Sequence, residues 1–192
     1  MTSRLPFLLA AAAALLVPRA EASTADAEAR LQSAVGKVLA VAEKSSTPEK
    51  LAGDLRPILL DYISFDAMTR RAIGPGWRQF TPEQQKRAVQ LFTTLIIRTY
   101  SDKFTPGEHP VVKYKAPVTP APGRVEVPTS LLYNGSSYEV TYRLELENGW
   151  QITDVLLEGV SLIANYRSQF DAQFKKDGAK AVLAALAQAE NK

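Results

Sequence analysis

NGSSYEVTYRLELENGW, residues 134–150, is the stretch on which the fold turns. Tyr138, Val140, Tyr142, Leu144 and Leu146 alternate with Glu139, Thr141, Arg143, Glu145 and Glu147. Successive strand side chains point to opposite faces, so this period of two predicts an antiparallel strand with one apolar face against a core and one polar face toward water. Asn-Gly stands at both ends, at 134–135 and 148–149. These residues tolerate the positive φ of the tight turns that join hairpin partners. Upstream, Val125, Val127, Thr129, Leu131 and Tyr133 alternate with Arg124, Glu126, Pro128 and Ser130. Downstream, Trp150 to Leu157 is the next strand. Val111 to Tyr114 supplies a fourth, set off by the turn-forming Pro117, Pro120, Pro122 and Gly123.

On either side the period changes to helical. Residues 24–44 carry Leu31, Ala34, Val35, Val38 and Val41 on one stripe. A second helix opens at Ser46-Thr47-Pro48-Glu49, with Ser46 as cap and Glu49 completing a capping-box pattern. Its stripe is Leu51, Leu55, Ile58, Leu59 and Tyr62. Phe65 to Ile73 is a short third helix stopped by Gly74-Pro75-Gly76. Thr81-Pro82-Glu83-Gln84 opens a long fourth helix reaching about Phe104, lined by Ala88, Leu91, Phe92, Leu95, Ile96, Thr99 and Tyr100. Two C-terminal helices, about Ser161–Phe174 and Gly178–Gln188, close the chain. The fold class is therefore α+β: a helical N-terminal half packed on an antiparallel, strongly curved sheet of about four strands, with C-terminal helices.

The first residues read as an export signal. Arg4 is followed by an apolar run from Leu5 to Val17, then Pro18 and the small residues of Ala20-Glu21-Ala22. The run of about 13 residues is shorter than the roughly 20 needed to span a bilayer. Residues 1–22 are thus expected to be a cleaved signal peptide and 23–192 a single exported domain. The chain of 192 residues has 46% hydrophobic and 22% charged residues and a net charge of +3. Removing residues 1–22 takes away two arginines and one glutamate and leaves +2. That charge, without a basic run, argues against nucleic acid. With no Cys and one His, His109, the usual zinc ligands are missing, and no metal or other cofactor is expected. There is no Gly-x-Ser-x-Gly elbow and no phosphate-binding loop. Asp66, set among Phe65, Met68 and Trp77, is the best buried acid, although a helix-capping role for Ser64 or Asp66 suits it better. An enzyme is not expected.

Large apolar side chains from the strands and the helices converge on a shared interior. Periodicity does not distinguish a packed core from an apolar cavity, and both stay open at this point. Each methylene withdrawn from water contributes about 0.8 kcal/mol, so walls of this kind suit a lipid tail.

Two blocks carry a family resemblance. FDAMTRRAIGPGWRQFTPEQQKRAVQLFTTLIIRTYSDKF, residues 65–104, has a Phe-Asp start, a Gly before an aromatic residue, a Thr-Pro-Glu-Gln helix start and an Arg-Thr-Tyr end. WQITDVLLEGVSLIANYRSQF, residues 150–170, has Trp, then Asp-Val, Gly-Val-Ser-Leu, Asn-Tyr-Arg and Phe in order. Together they resemble the MlaC (toluene-tolerance) family over roughly residues 27–187. Phe65, Asp66, Gly74 and Trp77 match the first block; Asp154, Gly159, Ser161, Asn165, Tyr166, Arg167 and Phe170 match the second. Gly74-Pro75-Gly76-Trp77 departs from the family's more aromatic link.

The resemblance implies a periplasmic carrier that holds phospholipid tails in an apolar pocket between sheet and helices. It further implies shuttling between an outer-membrane lipoprotein complex and an inner-membrane ABC transporter complex with an MCE-domain subunit. A related branch is tied to hopanoids, which leaves a polycyclic lipid as an alternative ligand, and a ligand-free partner-binding module shares the same features. The expected pocket wall is Phe65, Met68, Ile73, Trp77, Phe92, Leu95, Ile96, Tyr100, Val127, Leu131, Tyr138, Val140, Tyr142, Leu144, Trp150, Ile152, Tyr166 and Phe170. Asp154, Asn165 and Arg167 are expected to form a buried polar bracket where the last strand enters the helix, an Arg–carboxylate pair with Asn satisfying backbone groups.

Overall fold

The computed structural model describes residues 23–103 and 109–190. The expected signal segment and Phe104 lie outside the described residues. Helix α1 (Thr24–Ala42) begins with a reciprocal box: the Ser23 hydroxyl accepts from the Asp26 N–H at 3.1 Å, and the Asp26 carboxylate accepts from the Ser23 N–H at 2.7 Å. Helix α2 (Pro48–Tyr62) is capped by Thr47, whose hydroxyl accepts from the Lys50 N–H at 3.2 Å, and not by Ser46. Pro48 takes the first helical position, which places the cap immediately before it and Glu49 one residue too early to complete a box.

Helix α3 (Phe65–Ile73) buries Phe65, Met68, Thr69 and Ala72 on one side. That spacing turns Asp66 outward. It is exposed, 4.0 Å from Arg70, and is not the buried acid expected from its neighbours. A 3-10 turn (Gly74–Gln79) leads to α4 (Pro82–Ser101), which starts on the expected Thr81–Gln84 box. Helix α5 (Leu162–Glu190) is broken at Asp177 and Gly178, where Gly178 has φ 52°, in agreement with two expected helices.

The sheet has six strands rather than about four: β1 (Val111–Tyr114), β2 (Val118–Ala121), β3 (Arg124–Tyr133), β4 (Ser136–Leu146), β5 (Trp150–Leu157) and β6 (Val160–Ser161). The order is β1-β3-β4-β5-β6, with β2 also pairing β3, and every pairing is antiparallel. The Asn134-Gly135 turn has φ 50° and 72° and sets Tyr133 opposite Ser136, which fixes the hairpin register. β2 and β6 escape the sequence pattern because they are four and two residues long, and most of their side chains are exposed.

Two clusters make most of the interior. One is helical, with Phe65, Met68, Ile73, Leu91, Phe92, Ile96, Phe170, Val182 and Leu186. The other joins α1 to the apolar face of the sheet through Ala27, Leu31, Val125, Val127, Leu144, Trp150 and Ile152. The two halves are clipped together at β5. Ile63 bridges Ile152, and the Ser64 N–H donates to the Ile152 carbonyl at 3.0 Å, so the α2–α3 link covers what would otherwise be an open strand edge. No helix among the described residues is long and apolar enough to cross a membrane.

Candidate functional site

The apolar face of the sheet has two ends. At one, α1 seals Val125, Val127, Leu144, Trp150 and Ile152 from solvent. At the other, Leu131, Tyr138, Tyr142 and Val155 are only half-buried and Leu157 is 47% exposed, although Val140 among them is buried. Tyr133 shares this face with Val127, Thr129 and Leu131, and its hydroxyl donates to the Lys103 carbonyl at 3.2 Å. The end of α4 therefore approaches the far end of the apolar face. Leu95, Thr99 and Tyr166 on the helical side are half-buried, and Tyr100 is 42% exposed.

Tyrosines dominate this region. Burial pushes the Tyr142 phenol up to about 12, with Tyr114 beside it adding to the shift. Tyr142 nonetheless keeps accessible surface. Burial also raises Tyr100, with Tyr166 contributing, and raises Tyr166 itself against a hydrogen bond with Thr99. Tyr166 stacks on Phe170 at 5.8 Å and meets Phe92 edge-on at 5.1 Å, which fixes its ring by two aromatic contacts.

The expected wall residues thus divide. Phe65, Met68, Ile73, Phe92, Ile96 and Phe170 are buried in the helical cluster, with Trp77, Leu95 and Tyr166 packed against it. Val127, Leu144, Trp150 and Ile152 are buried under α1, with Tyr142 packed on them. Leu131, Tyr138, Val140 and Tyr100 lie outside both clusters. Tyr114 and Val155, opposite Thr129 and Tyr142, lie on the same face outside the expected wall; the alternation of β1 carries the signal for Tyr114, whereas the shift of register in β5 hides Val155.

The polar bracket forms around Asp154, with partners other than those expected. Its Oδ1 accepts from the Val155 N–H at 2.9 Å and the Ile163 N–H at 3.2 Å; its Oδ2 accepts from the Ser161 hydroxyl at 2.6 Å and from Arg143 at 3.2 Å. Ser161 in turn accepts from the Ala164 N–H at 3.0 Å. One buried carboxylate thereby ties β4, β5 and the start of α5. The cause is a bulge: Arg143 pairs with Asp154 while Leu144 pairs with Ile152, leaving Thr153 as the extra residue. Arg167 instead pairs with Asp171 at 3.2 Å and donates to the Arg71 carbonyl at 3.3 Å, holding the end of α3 against α5. Asn165 is exposed, and its side-chain oxygen accepts from Gln169, one turn along its own helix, at 3.4 Å. His109 is exposed, 3.8 Å from Glu43.

No curated protein matches the sequence. Among solved structures, the chain is similar to a phospholipid-binding protein from Ralstonia solanacearum, determined in complex with a phospholipid. The two share 28% identity and a TM-score of 0.80 across 86% of this chain and 97% of that one. The family model described as MlaC protein matches residues 30–188, which spans both halves of the fold and the Asp154 bracket, and the chain belongs to the MlaC family.

Proposed function

We propose that the protein is a non-enzymatic periplasmic carrier. It would hold phospholipid tails between the far end of the sheet's apolar face and the end of α4, and pass the lipid between an outer-membrane lipoprotein complex and an inner-membrane ABC transporter complex with an MCE-domain subunit. The observation that carries this is the likeness, over nearly the whole of both chains, to a structure that holds a phospholipid. The accessible apolar wall supports the same reading: Leu95, Leu131, Tyr138, Tyr142 and Tyr166 are half-buried and Tyr100 is exposed, so none of them is sealed in a core.

Native mass spectrometry with organic extraction, on protein purified from a bacterial periplasm, tests the proposal. Phospholipid at near one per chain is the expected result. Its replacement by a polycyclic lipid would move the assignment to a hopanoid carrier. A folded chain that carries no lipid and takes up none when offered would leave a partner-binding module.

A further inference from the structure

We propose that the corner of the sheet formed by β5 and β6 is a membrane-contact site, where Leu157 and Val160 enter the surface of a lipid bilayer while the far end of the apolar face is loaded or emptied. The inference rests on the lipid-carrier reading above. Strand register places Tyr114, Thr129, Val140, Leu157 and Val160 in one row across five strands. Directly paired residues share a face, so the whole row lies on the apolar face. Burial falls away along it: Thr129 is 1% exposed, Val140 6%, Leu157 47% and Val160 63%. The apolar face therefore runs from the interior out to solvent at this corner, and no polar side chain of the row closes it off. No other large apolar side chain among the described residues is as exposed as Val160.

The turn between the two strands holds this pair in place. Glu158 and Gly159 have φ 50° and 77°, and a glutamate in that left-handed region is uncommon. Glu158 is fixed there by β4: its N–H donates to the Glu139 carbonyl at 2.8 Å, and its carboxylate accepts from the Glu139 N–H at 2.7 Å. The charge of the turn is thus folded back along β4, and the Glu139 carboxylate pairs with Lys115. Leu157 and Val160 stand opposite each other on the apolar face.

A lipid surface suits this corner better than a protein strand. β6 has two residues, too short a ladder for an added strand. Withdrawing aliphatic surface from water is favourable in proportion to its area. Two such side chains give weak, reversible contact at a bilayer surface, as a carrier that must leave again requires. The corner also belongs to the face proposed to hold the tails, so a lipid passing over it meets apolar side chains continuously.

The chain has no cysteine, so Val160→Cys takes a single environment-sensitive fluorophore at the corner. Gln79→Cys, exposed in the 3-10 turn before α4, takes the same label as a control. The probe is phosphatidylcholine vesicles added to the periplasmically purified protein. The label at position 160 is expected to emit as in water beforehand, then to shift to the blue and brighten by about twofold or more, with no change at position 79. Added salt should leave the response in place, because it does not depend on long-range charge. Val160→Asp alters an exposed side chain and should fold as the wild type. Labelled at position 79, it should bind vesicles about tenfold more weakly in flotation, with phospholipid per chain unchanged by native mass spectrometry. A label already blue-shifted before vesicles are added would show that bound lipid covers the corner and would overturn the proposal. So would an equal response at position 79, or wild-type vesicle binding by Val160→Asp. A response only to membranes that retain their proteins would give the corner to a protein partner and overturn it as well. The two readings separate cleanly. A lipid-loaded chain with an unresponsive label keeps the carrier and loses the membrane contact, whereas a lipid-free chain with a responsive label does the reverse.

Discussion

Gly74 has φ 69°, and a Cβ built there would overlap the guanidinium of Arg167. The position closes α3, with the Gly74 N–H donating to the Arg70 carbonyl, so left-handed backbone and close approach are required at once. Gly74→Ala is expected to cost about 2–3 kcal/mol in urea unfolding. Arg167→Ala should cost about 1–2 kcal/mol through the lost bonds to Arg71 and Asp171. The double variant should be less destabilised than the sum, because the second change removes the clash created by the first. Additivity would show that the guanidinium does not sit over the glycine. Tyr142 gives a prediction in pH. Its phenol titrates near 10 when unfolded and is held up to about 12 when folded. The stability it contributes is therefore whole below pH 10 and is lost as pH rises toward 12. Tyr142→Phe should lose less stability over that interval than the wild type, measured by thermal unfolding at pH 9 and pH 11.

At the scale of elements, legibility followed the length of the repeating pattern. The β3–β4 hairpin could be read residue by residue, because ten and eleven residues of alternation flank an Asn-Gly turn. The helix start at Thr81 was legible from capping chemistry, the cap of α3 was narrowed to Ser64 or Asp66 and falls on Ser64, and the two C-terminal helices were read as separate on either side of the break at Asp177 and Gly178. β2 was not legible, since Val-Thr-Pro-Ala is short, contains a proline and buries almost nothing. The bulge in β5 hides for a different reason: Ile152, Thr153 and Asp154 are buried in succession, and alternation does not foresee three buried neighbours. The partner of Asp154 was missed for that reason too, since only the shifted register brings Arg143 opposite it. Beyond the break in α5, Val182 and Leu186 are fully buried in the helical cluster. Leu186→Ala is expected to cost about 2–4 kcal/mol by urea unfolding, which would mark the last helix as part of the core. A cost near zero would mark it as an appendage.

Across the whole molecule, one cluster is built by helices α3–α5 and another by α1 on the sheet, leaving the far apolar face half-covered. Sequence pattern identified the apolar residues of that face and could not separate sealed from accessible ones, because both present the same periodicity. Binding to the folded state alone raises stability by mass action, so stripping bound phospholipid should lower Tm and re-adding it should restore the value. Leu131→Lys places a charge in the half-buried wall. It should reduce phospholipid uptake by about tenfold or more while the stripped protein unfolds near the wild-type temperature. Unchanged uptake would move the tails away from this face.

The bulge at Thr153 has a consequence for insertion and deletion. Trp150, Ile152, Val155 and Leu157 all belong to the apolar face, and Gln151, Asp154 and Leu156 to the other, with Thr153 standing between two segments that are each in step. Strand β5 thus contains its own one-residue insertion. Removing Thr153 would join the two segments into one regular strand with every remaining side chain on its present face, whereas removing Ile152 would put Thr153 in its place on the apolar face, and removing Asp154 would put Thr153 in its place opposite Arg143. A chain shortened at Thr153 should therefore still fold and keep the Asp154 bracket, and lengths differing by one residue at this point can coexist among sequences that share the fold.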